Sequence, residues 1–320
     1  MTGPLRVGTR ASALALWQTE HVRAQLHAAG CETVRVEIRT TGDIVTDVPL
    51  SRIGSRALFT RQIDDAMLEG RIDLAVHSLK DLPTRLPDGI ALVAVAERED
   101  ARDALVGRGP ATWEDLPQGA VLATSSLRRR AQLLHARPDL QVRDIRGNVD
   151  TRLAKLDATH EWSAILLAAA GLVRLGFDHR IGQRLPPELM LPAPGQGALA
   201  VTARVGDAAA AAAAAHAVHH TSTALAVAAE RAFLRTLEGG CQVPVAAHAA
   251  PDGAGRMRLH GRVVSLGGER GVEGIQTAPA ADEDQADALG IVLAERLLSE
   301  GAGEILAQVR AAAAPLVPEP

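Results

Sequence analysis

The chain has few aromatic residues and few cysteines. Its 320 residues include no tyrosine, three phenylalanines and three tryptophans. Proteins that bind single-stranded nucleic acid without sequence preference stack the bases on aromatic side chains, so the composition disfavours that class. The two cysteines, Cys31 and Cys241, are too few and too far apart for a disulfide framework. Reduced thiols and a cytoplasmic location are therefore expected, with Cys31 in a structural role.

Long apolar runs and a strong net charge are also missing. The longest apolar run, residues 164–173, falls short of the ~20 residues that cross a membrane. No apolar segment near the start has the length of a signal peptide. A net charge of −4 disfavours a general polyanion binder, yet arginines concentrate at 125–130 and 143–152. These clusters predict a site for a small, multiply charged anion; the alternative is a set of solvated helix faces.

Strand and helix patterns alternate through the first two thirds of the chain. This alternation predicts an α/β fold with two lobes, each a mostly parallel sheet covered by helices. Residues 191–204 are expected to cross back and add a strand to the first sheet, so that two crossings join the lobes around a cleft. A helix, three strands and a closing helix at 283–299 follow and predict a small α+β domain. The expected boundaries are 1–98 with 197–217 for the first lobe, 99–196 for the second and 218–320 for the C-terminal domain.

Two patterns have the spacing of common motifs but not their context. His216 and His220 stand four residues apart, which is a metal-ligand spacing on one helix face. No third ligand is apparent, so a solvated helix is favoured and no metal site is predicted. The segment "GQGALA" at 195–200 matches a dinucleotide-binding fingerprint, but that motif follows a strand and opens a helix. We interpret this match as accidental.

Charged and polar residues follow several of the expected strands, where ligands bind in open α/β sheets. In "HSLKDLP" (77–83), Lys80 and Asp81 are expected in an extended turn, one directed at an anion and the other at a cation. The alternative is an exposed turn in which Asp81 bonds its own backbone. "TSSLRRR" (124–130) places hydroxyls and arginines at a helix start, which is a ready anion site. "RGNVDTR" (146–152) adds two arginines, and phosphate and carboxylate remain equally open as ligands.

The loop "EGGCQVP" at 238–244 places a cysteine where the backbone is permissive. Cys241 follows two glycines and precedes a proline two residues later. A free cysteine is usually a small buried hydrophobe, whereas this thiol is expected to be reachable.

Seven motifs follow one another from residue 5 to about 245. They are "GTRASALALWQ" (8–18), "VHSLKDLPT" (76–84), "TSSLRR" (124–129), "RGNVDTRLAKLD" (146–157), "AAAGLVRLG" (168–176), "LPAPGQGALAV" (191–201) and "EGGCQVP" (238–244). Together they resemble the motifs of the porphobilinogen deaminase (hydroxymethylbilane synthase) family. The resemblance implies a monomeric three-domain enzyme whose first two lobes have a periplasmic-binding-protein-like topology. It also implies a transferase of porphyrin and haem biosynthesis. In that reaction four porphobilinogen molecules join head to tail, each losing ammonia, and water releases the linear tetrapyrrole.

The resemblance also implies roles for individual residues. Cys241 matches the cysteine that holds a dipyrromethane cofactor through a thioether, and Asp81 matches the catalytic carboxylate. A preorganised anion there lowers the cost of the cationic methylene-pyrrole that forms when ammonia leaves. The residues that match cofactor contacts are Cys241, Lys80, Asp81, Asp43, Ser126, Arg128, Arg129 and Arg152. Those that match contacts to substrate or growing-chain carboxylates are Arg10, Ser12, Arg146, Arg152 and Arg174.

The sequence departs from the family pattern in two places. Arg52, Arg56 and Ala57 replace the usual lysines and glycine in the segment 42–60, which is expected to be a loop over the cleft. Asp150 places a negative charge inside "RGNVDTR", where a salt bridge to a neighbouring arginine is expected. A rival interpretation is a non-catalytic two-lobe solute-binding module, which would use the same arginines but give Cys241 and Asp81 no task.

Overall fold

The computed structural model describes residues 3–40, 60–109, 111–237 and 243–313. Asp43, Cys241 and the lid contacts expected of Arg52, Arg56 and Ala57 lie outside the described residues. The described strands, in chain order, are β1 (Leu5–Thr9), β2 (Thr33–Glu37), β3 (Leu74–Ser78), β4 (Ile90–Val95), β5 (Asp103–Val106), β6 (Val121–Ala123), β7 (Gln141–Arg143), β8 (Ala164–Ala168), β9 (Gln183–Arg184), β10 (Leu199–Arg204), β11 (Val245–Pro251), β12 (Met257–Val264) and β13 (Gly271–Ala278).

The helices cover the sheets and lie between the strands in sequence. Short 3-10 turns at Leu79–Asp81 and Asp178–Arg180 complete the described regular structure, with a π turn at Leu298–Ala302. The described α-helices are α1 (Ala13–Ala28), α2 (Arg61–Leu68), α3 (Leu127–Ala136), α4 (Val149–Ala158), α5 (Ala169–Arg174), α6 (Ala208–Val218), α7 (Thr221–Thr236), α8 (Glu283–Leu297) and α9 (Gly303–Ala313).

Two five-stranded sheets of the same design form the two lobes. Their strand orders are β2-β1-β3-β10-β4 and β7-β6-β8-β5-β9. The first three strands of each sheet run parallel, and the fourth runs antiparallel to its neighbours. The central strand of the second sheet, β8, is a continuous apolar run, as expected of a strand covered on both faces. The prediction of two α/β lobes is confirmed.

The chain passes between the lobes twice, at residues 96–102 and 185–198. The return pass brings β10 back into the first sheet, where Leu199 pairs with Ser78 of β3. The amide of Leu79 donates to the carbonyl of Ala198 over 3.0 Å. The crossings therefore border the end of β3. The residue boundaries given above for the three domains remain a prediction.

Serines begin the helices that follow β1 and β6. Ser12 has extended backbone and its hydroxyl accepts from the Ala15 amide, which satisfies one free N–H of α1. Ser126 caps α3 in the same way, accepting from the Arg129 amide. Both caps direct a helix N-terminus toward the space between the lobes, at the carboxyl ends of the parallel strands.

The C-terminal domain is an antiparallel sheet, β11-β12-β13, packed on α7 and α8. Gly261 of β12 lies directly beneath the fully buried ring of Phe233, so a larger residue would displace that ring. The helix predicted at 283–299 is present as α8, but it is not the last helix of the domain. The α8 helix ends at Leu297 and a second helix, α9, begins at Gly303. Gly301 between them has a φ of 110°, a conformation that interrupts an α-helix and that glycine adopts readily.

The expectation that His216 and His220 lie on one helix face is wrong. His216 lies on α6, which ends at Val218, whereas His220 is the N-cap of α7 and its side chain accepts from the Thr223 amide. The two histidines therefore do not share a helix face.

Within the described part of the chain, no helix combines the length and apolar character that crossing a bilayer requires.

Candidate active site

The predicted site residues follow the carboxyl ends of strands from both lobes. Arg10 and Ser12 come after β1, the Lys80–Asp81 pair after β3, and the remaining ones after β6, β7 and β8. Charges from the two lobes act on each other across the cleft. Asp81 in the first lobe and Arg129 in the second both affect the pKa of Arg152. The structure thus brings five of the predicted cations close to the predicted carboxylate Asp81: Lys80, Arg128, Arg129, Arg146 and Arg152.

Lys80 and Asp81 lie in a 3-10 turn directly after β3, not in the extended turn expected from the sequence. The Lys80 ammonium is half-buried and donates to Gln196 Oε1 over 3.2 Å. Its removal from water lowers the pKa of Lys80 to about 8, an effect that the Asp81 charge opposes. Asp81 is exposed. The turn therefore places a cation against the crossing and leaves a carboxylate facing solvent.

A buried carboxylate, Asp103, holds two of the predicted arginines. Arg128 Nη1 lies 2.6 Å from Asp103 Oδ2, and Arg129 Nη2 lies 2.7 Å from Oδ1. Gln196 Nε2 also donates to Oδ1 over 3.0 Å. Asp103 is fully buried, yet the two guanidinium charges and these hydrogen bonds outweigh the desolvation and hold its pKa well below the usual range.

The same contacts fix the two arginines in place. Arg128 Nη1 also donates to the Leu191 carbonyl, and Arg129 Nη1 to the Leu166 carbonyl. Burial lowers the pKa of Arg129, and the Asp103 charge opposes that shift. Sequence reasoning did not select Asp103 or Gln196. The signal available for Asp103 was an acidic residue at the first position of an apolar strand, where an unpaired charge is costly.

Arg152 and Arg146 come from the segment after β7. Arg152 Nε donates to the Gly147 carbonyl over 2.8 Å. Burial lowers the pKa of Arg152 to about 10, and the neighbouring Arg129 charge acts in the same direction. Gly147 has a φ of 117°, and a Cβ there would meet the Thr151 side chain, so the turn requires glycine. Asp150 is exposed and forms no ion pair within the described residues, so the expected salt bridge is wrong.

Arg174 and the first-lobe residues complete the set. Arg174 ends α5 and its Nη2 donates to the Gly197 carbonyl over 2.7 Å. Burial lowers the pKa of Arg174, and the Glu99 charge opposes this. Arg10 lies near enough to the buried His77 for its charge to lower the pKa of that imidazole. The Ser12 hydroxyl serves as the cap of α1.

Among the residues that the structure describes, cations outnumber carboxylates in this cleft. Asp81 and Asp103 are the described acidic residues that interact with the cluster formed by Lys80, Arg128, Arg129, Arg146 and Arg152. Such an excess is stable when a ligand supplies the missing negative charge. A dipyrromethane bears several carboxylates, so the residues present fit that group. Three or more potential metal ligands do not come together anywhere in the described part of the chain.

Comparison with protein families gives two matches that together span most of the chain. Residues 5–212 match the model "Porphobilinogen deaminase, dipyromethane cofactor binding domain". Residues 224–299 match "Porphobilinogen deaminase, C-terminal domain". The porphobilinogen deaminase of Geotalea daltonii is 49% identical over 95% of this chain and 94% of its own length. That of Geobacter metallireducens is 50% identical with the same coverage.

Solved structures of lower similarity were also found. A methionine-binding lipoprotein of Bacillus subtilis is 11% identical with a TM-score of 0.42, covering 69% of this chain and 92% of its own. A periplasmic substrate-binding protein of Coxiella burnetii is 14% identical with a TM-score of 0.44, covering 71% and 96%.

Fold and cleft together define a two-lobed α/β protein with a cation-rich site between its lobes. With the sequence matches, the chain belongs to the porphobilinogen deaminase family. Its activity is that of a transferase that builds hydroxymethylbilane from porphobilinogen with a dipyrromethane cofactor. The rival interpretation as a non-catalytic solute-binding module is therefore wrong.

Proposed function

We propose that Cys241 carries the dipyrromethane and that Asp81 is the catalytic carboxylate of the condensation. The observation that carries this proposal is the position of Asp81. It is exposed in the cleft at the end of β3, with Lys80 beside it and Arg152 of the other lobe within electrostatic reach. Of the two acidic residues that the structure describes in this cluster, Asp103 is buried and paired with Arg128 and Arg129, whereas Asp81 is exposed and has room for a substrate.

Each condensation breaks a carbon–nitrogen bond and forms a carbon–carbon bond. The amino group of the porphobilinogen aminomethyl side chain leaves as ammonia, and the methylene carbon that carried it becomes a cationic methylene on the pyrrole. That carbon bonds to the free α-carbon of the preceding pyrrole, which then loses its proton. The Asp81 carboxylate stabilises the cationic ring through the pyrrole N–H. It also accepts or returns a proton as the amine leaves and the ring carbon is deprotonated.

The surrounding cations bind carboxylates. When bound through the sulfur of Cys241, the dipyrromethane supplies the terminal pyrrole to which the first substrate is joined. We assign Lys80, Asp43, Ser126, Arg128, Arg129 and Arg152 to the cofactor, and Arg10, Ser12, Arg146, Arg152 and Arg174 to substrate and growing chain. A guanidinium matches a carboxylate in a two-point contact, which fixes orientation as well as charge. The side chains that Asp103 holds are preorganised for this task.

We also propose that the enzyme acts as a cytoplasmic monomer that binds no nucleic acid. The aromatic-poor composition and the acidic net charge support the last point.

The intact mass of the purified protein tests the assignment of the cofactor to Cys241. The wild type is expected to exceed its sequence mass by one dipyrromethane, and Cys241→Ser to show the sequence mass alone. Cys31→Ser is the matched control, since it changes the other cysteine and is expected to keep the added mass. An adduct retained in Cys241→Ser would contradict the proposal. If the wild type also lacks the adduct, incubation with porphobilinogen before a second measurement distinguishes an unloaded preparation from a wrong assignment.

A further inference from the structure

An aromatic contact joins the two lobes beside the site. Trp17 lies on α1 of the first lobe, and Arg174 ends α5 of the second. The Arg174 guanidinium carbon lies 5.6 Å from the centroid of the Trp17 ring, within the range of a cation–π interaction. His21 stacks on the same indole, with centroids 5.1 Å apart and planes 9° from parallel. Trp17 is one of only six aromatic residues in 320, counting three tryptophans and three phenylalanines.

The contact lies where the lobes approach each other. Leu14 Cδ2 on α1 is 3.7 Å from where a Cβ of Gly171 on α5 would stand. A small cavity of about 30 Å³ lies between these helices and the end of β3, with Lys80, Arg174 and Gly197 in its lining. Arg174 therefore borders the same space as the Lys80–Asp81 turn.

The Arg174 guanidinium is fixed on one side and open on the other. Nη2 donates to the Gly197 carbonyl of the return crossing, while Nε and Nη1 have no hydrogen-bond acceptor among the described residues. The indole contacts the guanidinium through its ring and accepts none of its N–H groups in a conventional hydrogen bond. Nη2 has a second N–H, so a carboxylate in the cleft can take a two-point contact from Nη2 together with Nε or Nη1, and the orientation of this arginine is already set.

We propose that Trp17 is a positioning residue that orients Arg174 for binding a substrate or growing-chain carboxylate. This inference rests on the proposed role of Arg174 in carboxylate binding. The tryptophan itself forms no bond to the substrate. Because the indole already restricts the Arg174 side chain, the guanidinium loses less conformational entropy when the carboxylate binds. Trp17 in the first lobe thus acts on an arginine of the second.

The test uses holoenzyme variants with equal dipyrromethane content by intact mass. Trp17→Leu keeps apolar bulk and helix propensity but removes the aromatic face, and Trp17→Phe keeps a weaker face. For Trp17→Leu we expect KM for porphobilinogen to rise about threefold to tenfold, with kcat within about twofold of wild type. Trp17→Phe is expected to restore KM to within about twofold. A residue that only fills space would give similar values for Leu and Phe.

A matched control exists in the second lobe. Trp113 also faces an arginine, with the Arg137 carbon 6.0 Å from its ring centroid, but it lies in the loop before β6, at the opposite end of the sheet from the cleft. Trp113→Leu is expected to leave KM unchanged. An equal rise of KM in both Leu variants would contradict a specific role for Trp17.

A double-variant comparison separates the two proposals. If Trp17 acts through Arg174, Trp17→Leu raises KM in the wild type but adds nothing in Arg174→Ala. Additive effects would overturn the inference while leaving the role of Arg174 intact. If Arg174→Ala alone leaves KM unchanged, the proposed carboxylate-binding role of Arg174 fails, and the inference fails with it.

Tryptophan emission gives a readout that does not depend on turnover. Arg174→Ala removes the cation from the Trp17 face, so it is expected to change the emission spectrum of the protein. The same substitution in the Trp17→Phe background is expected to leave the spectrum unchanged. Equal spectral changes in both backgrounds would show that the guanidinium does not act on Trp17 and would overturn the inference. This measurement needs no Leu variant, so it holds even if Trp17→Leu folds poorly.

Discussion

Arg98 and Glu230 form a buried ion pair that joins the first crossing to helix α7 of the C-terminal domain. Arg98 Nη1 lies 2.6 Å from Glu230 Oε1, and the Glu230 side chain is fully buried. Glu230 also accepts from the Gly195 amide of the return crossing and from the Ala249 amide of β11. This carboxylate of α7 thus bonds both crossings and strand β11 of the third domain.

Removing this charge is expected to destabilise the protein. Glu230→Gln keeps the shape of the side chain but leaves the buried Arg98 without an opposite charge. We therefore expect the free energy of unfolding to fall by about 3 kcal/mol. The midpoint of thermal unfolding reports it. Glu69→Gln is the matched control, because Glu69 pairs with Arg71 on the surface, where such a pair contributes about 0–1 kcal/mol. Equal midpoints for the two variants would contradict this account of Glu230.

Asp103 is expected to be required for loading of the cofactor as well as for stability. Asp103→Asn leaves Arg128 and Arg129 buried side by side without a shared anion, so they repel each other and lose their fixed orientation. We expect a lower thermal midpoint and a smaller fraction of molecules with the dipyrromethane mass. Asp100→Asn is the control, since Asp100 pairs with Arg102 and Arg184 near the surface. A normally loaded Asp103→Asn would show that the arginines do not depend on this carboxylate.

The sequence predicts the local features of this protein better than its long-range pairings. The Ser12 cap follows from residue type and from the helical pattern after it, and the strand 164–168 follows from an uninterrupted apolar run. The Asp103–Gln196 hydrogen bond joins residues 93 positions apart in the chain. It depends on how the second crossing returns past the first, and no local pattern specifies that geometry.

The same reason separates the site residues that sequence reasoning found from those it missed. Lys80, Asp81 and the arginines stand in motifs directly after strands, so a resemblance between segments is enough to select them. Trp17 stands in the first motif, but its role depends on its partner Arg174, which is in the other lobe. In the sequence, Asp103 is one acidic residue among others at the start of a strand, and only the folded structure shows that it pairs with two arginines. Contacts between lobes require the packed structure.

Asp81 is expected to be needed for turnover but not for folding. Its side chain is exposed, so Asp81→Asn removes the charge without leaving a buried group unpaired. We expect the thermal midpoint and the dipyrromethane mass to stay near the wild-type values, while kcat falls by about two orders of magnitude or more. Asp88→Asn changes an exposed aspartate in the loop before β4 and serves as the control. A kcat within a few fold of wild type in Asp81→Asn would exclude its catalytic role.

His77 is expected to make the fold sensitive to acid. Its side chain is buried in β3 with its Nε2 atom 3.3 Å from Thr202 Oγ1, and burial lowers its pKa from 6.5 to about 4, assisted by the Arg10 charge. Between pH 6.5 and 4 the unfolded chain binds a proton at this residue and the folded chain does not. The free energy of unfolding therefore falls as the pH drops through this range, by about 3 kcal/mol in all.

The comparison with His77→Gln isolates this effect. Glutamine keeps a polar side chain but does not titrate, so the variant is expected to lose less stability than the wild type between pH 6.5 and 4. Asp64 acts in the opposite direction, because burial raises its pKa to about 6 and the folded chain then takes up the proton first. That contribution is common to both proteins and cancels in the difference. Parallel stability curves from denaturant unfolding at each pH would mean that His77 is charged in the folded protein.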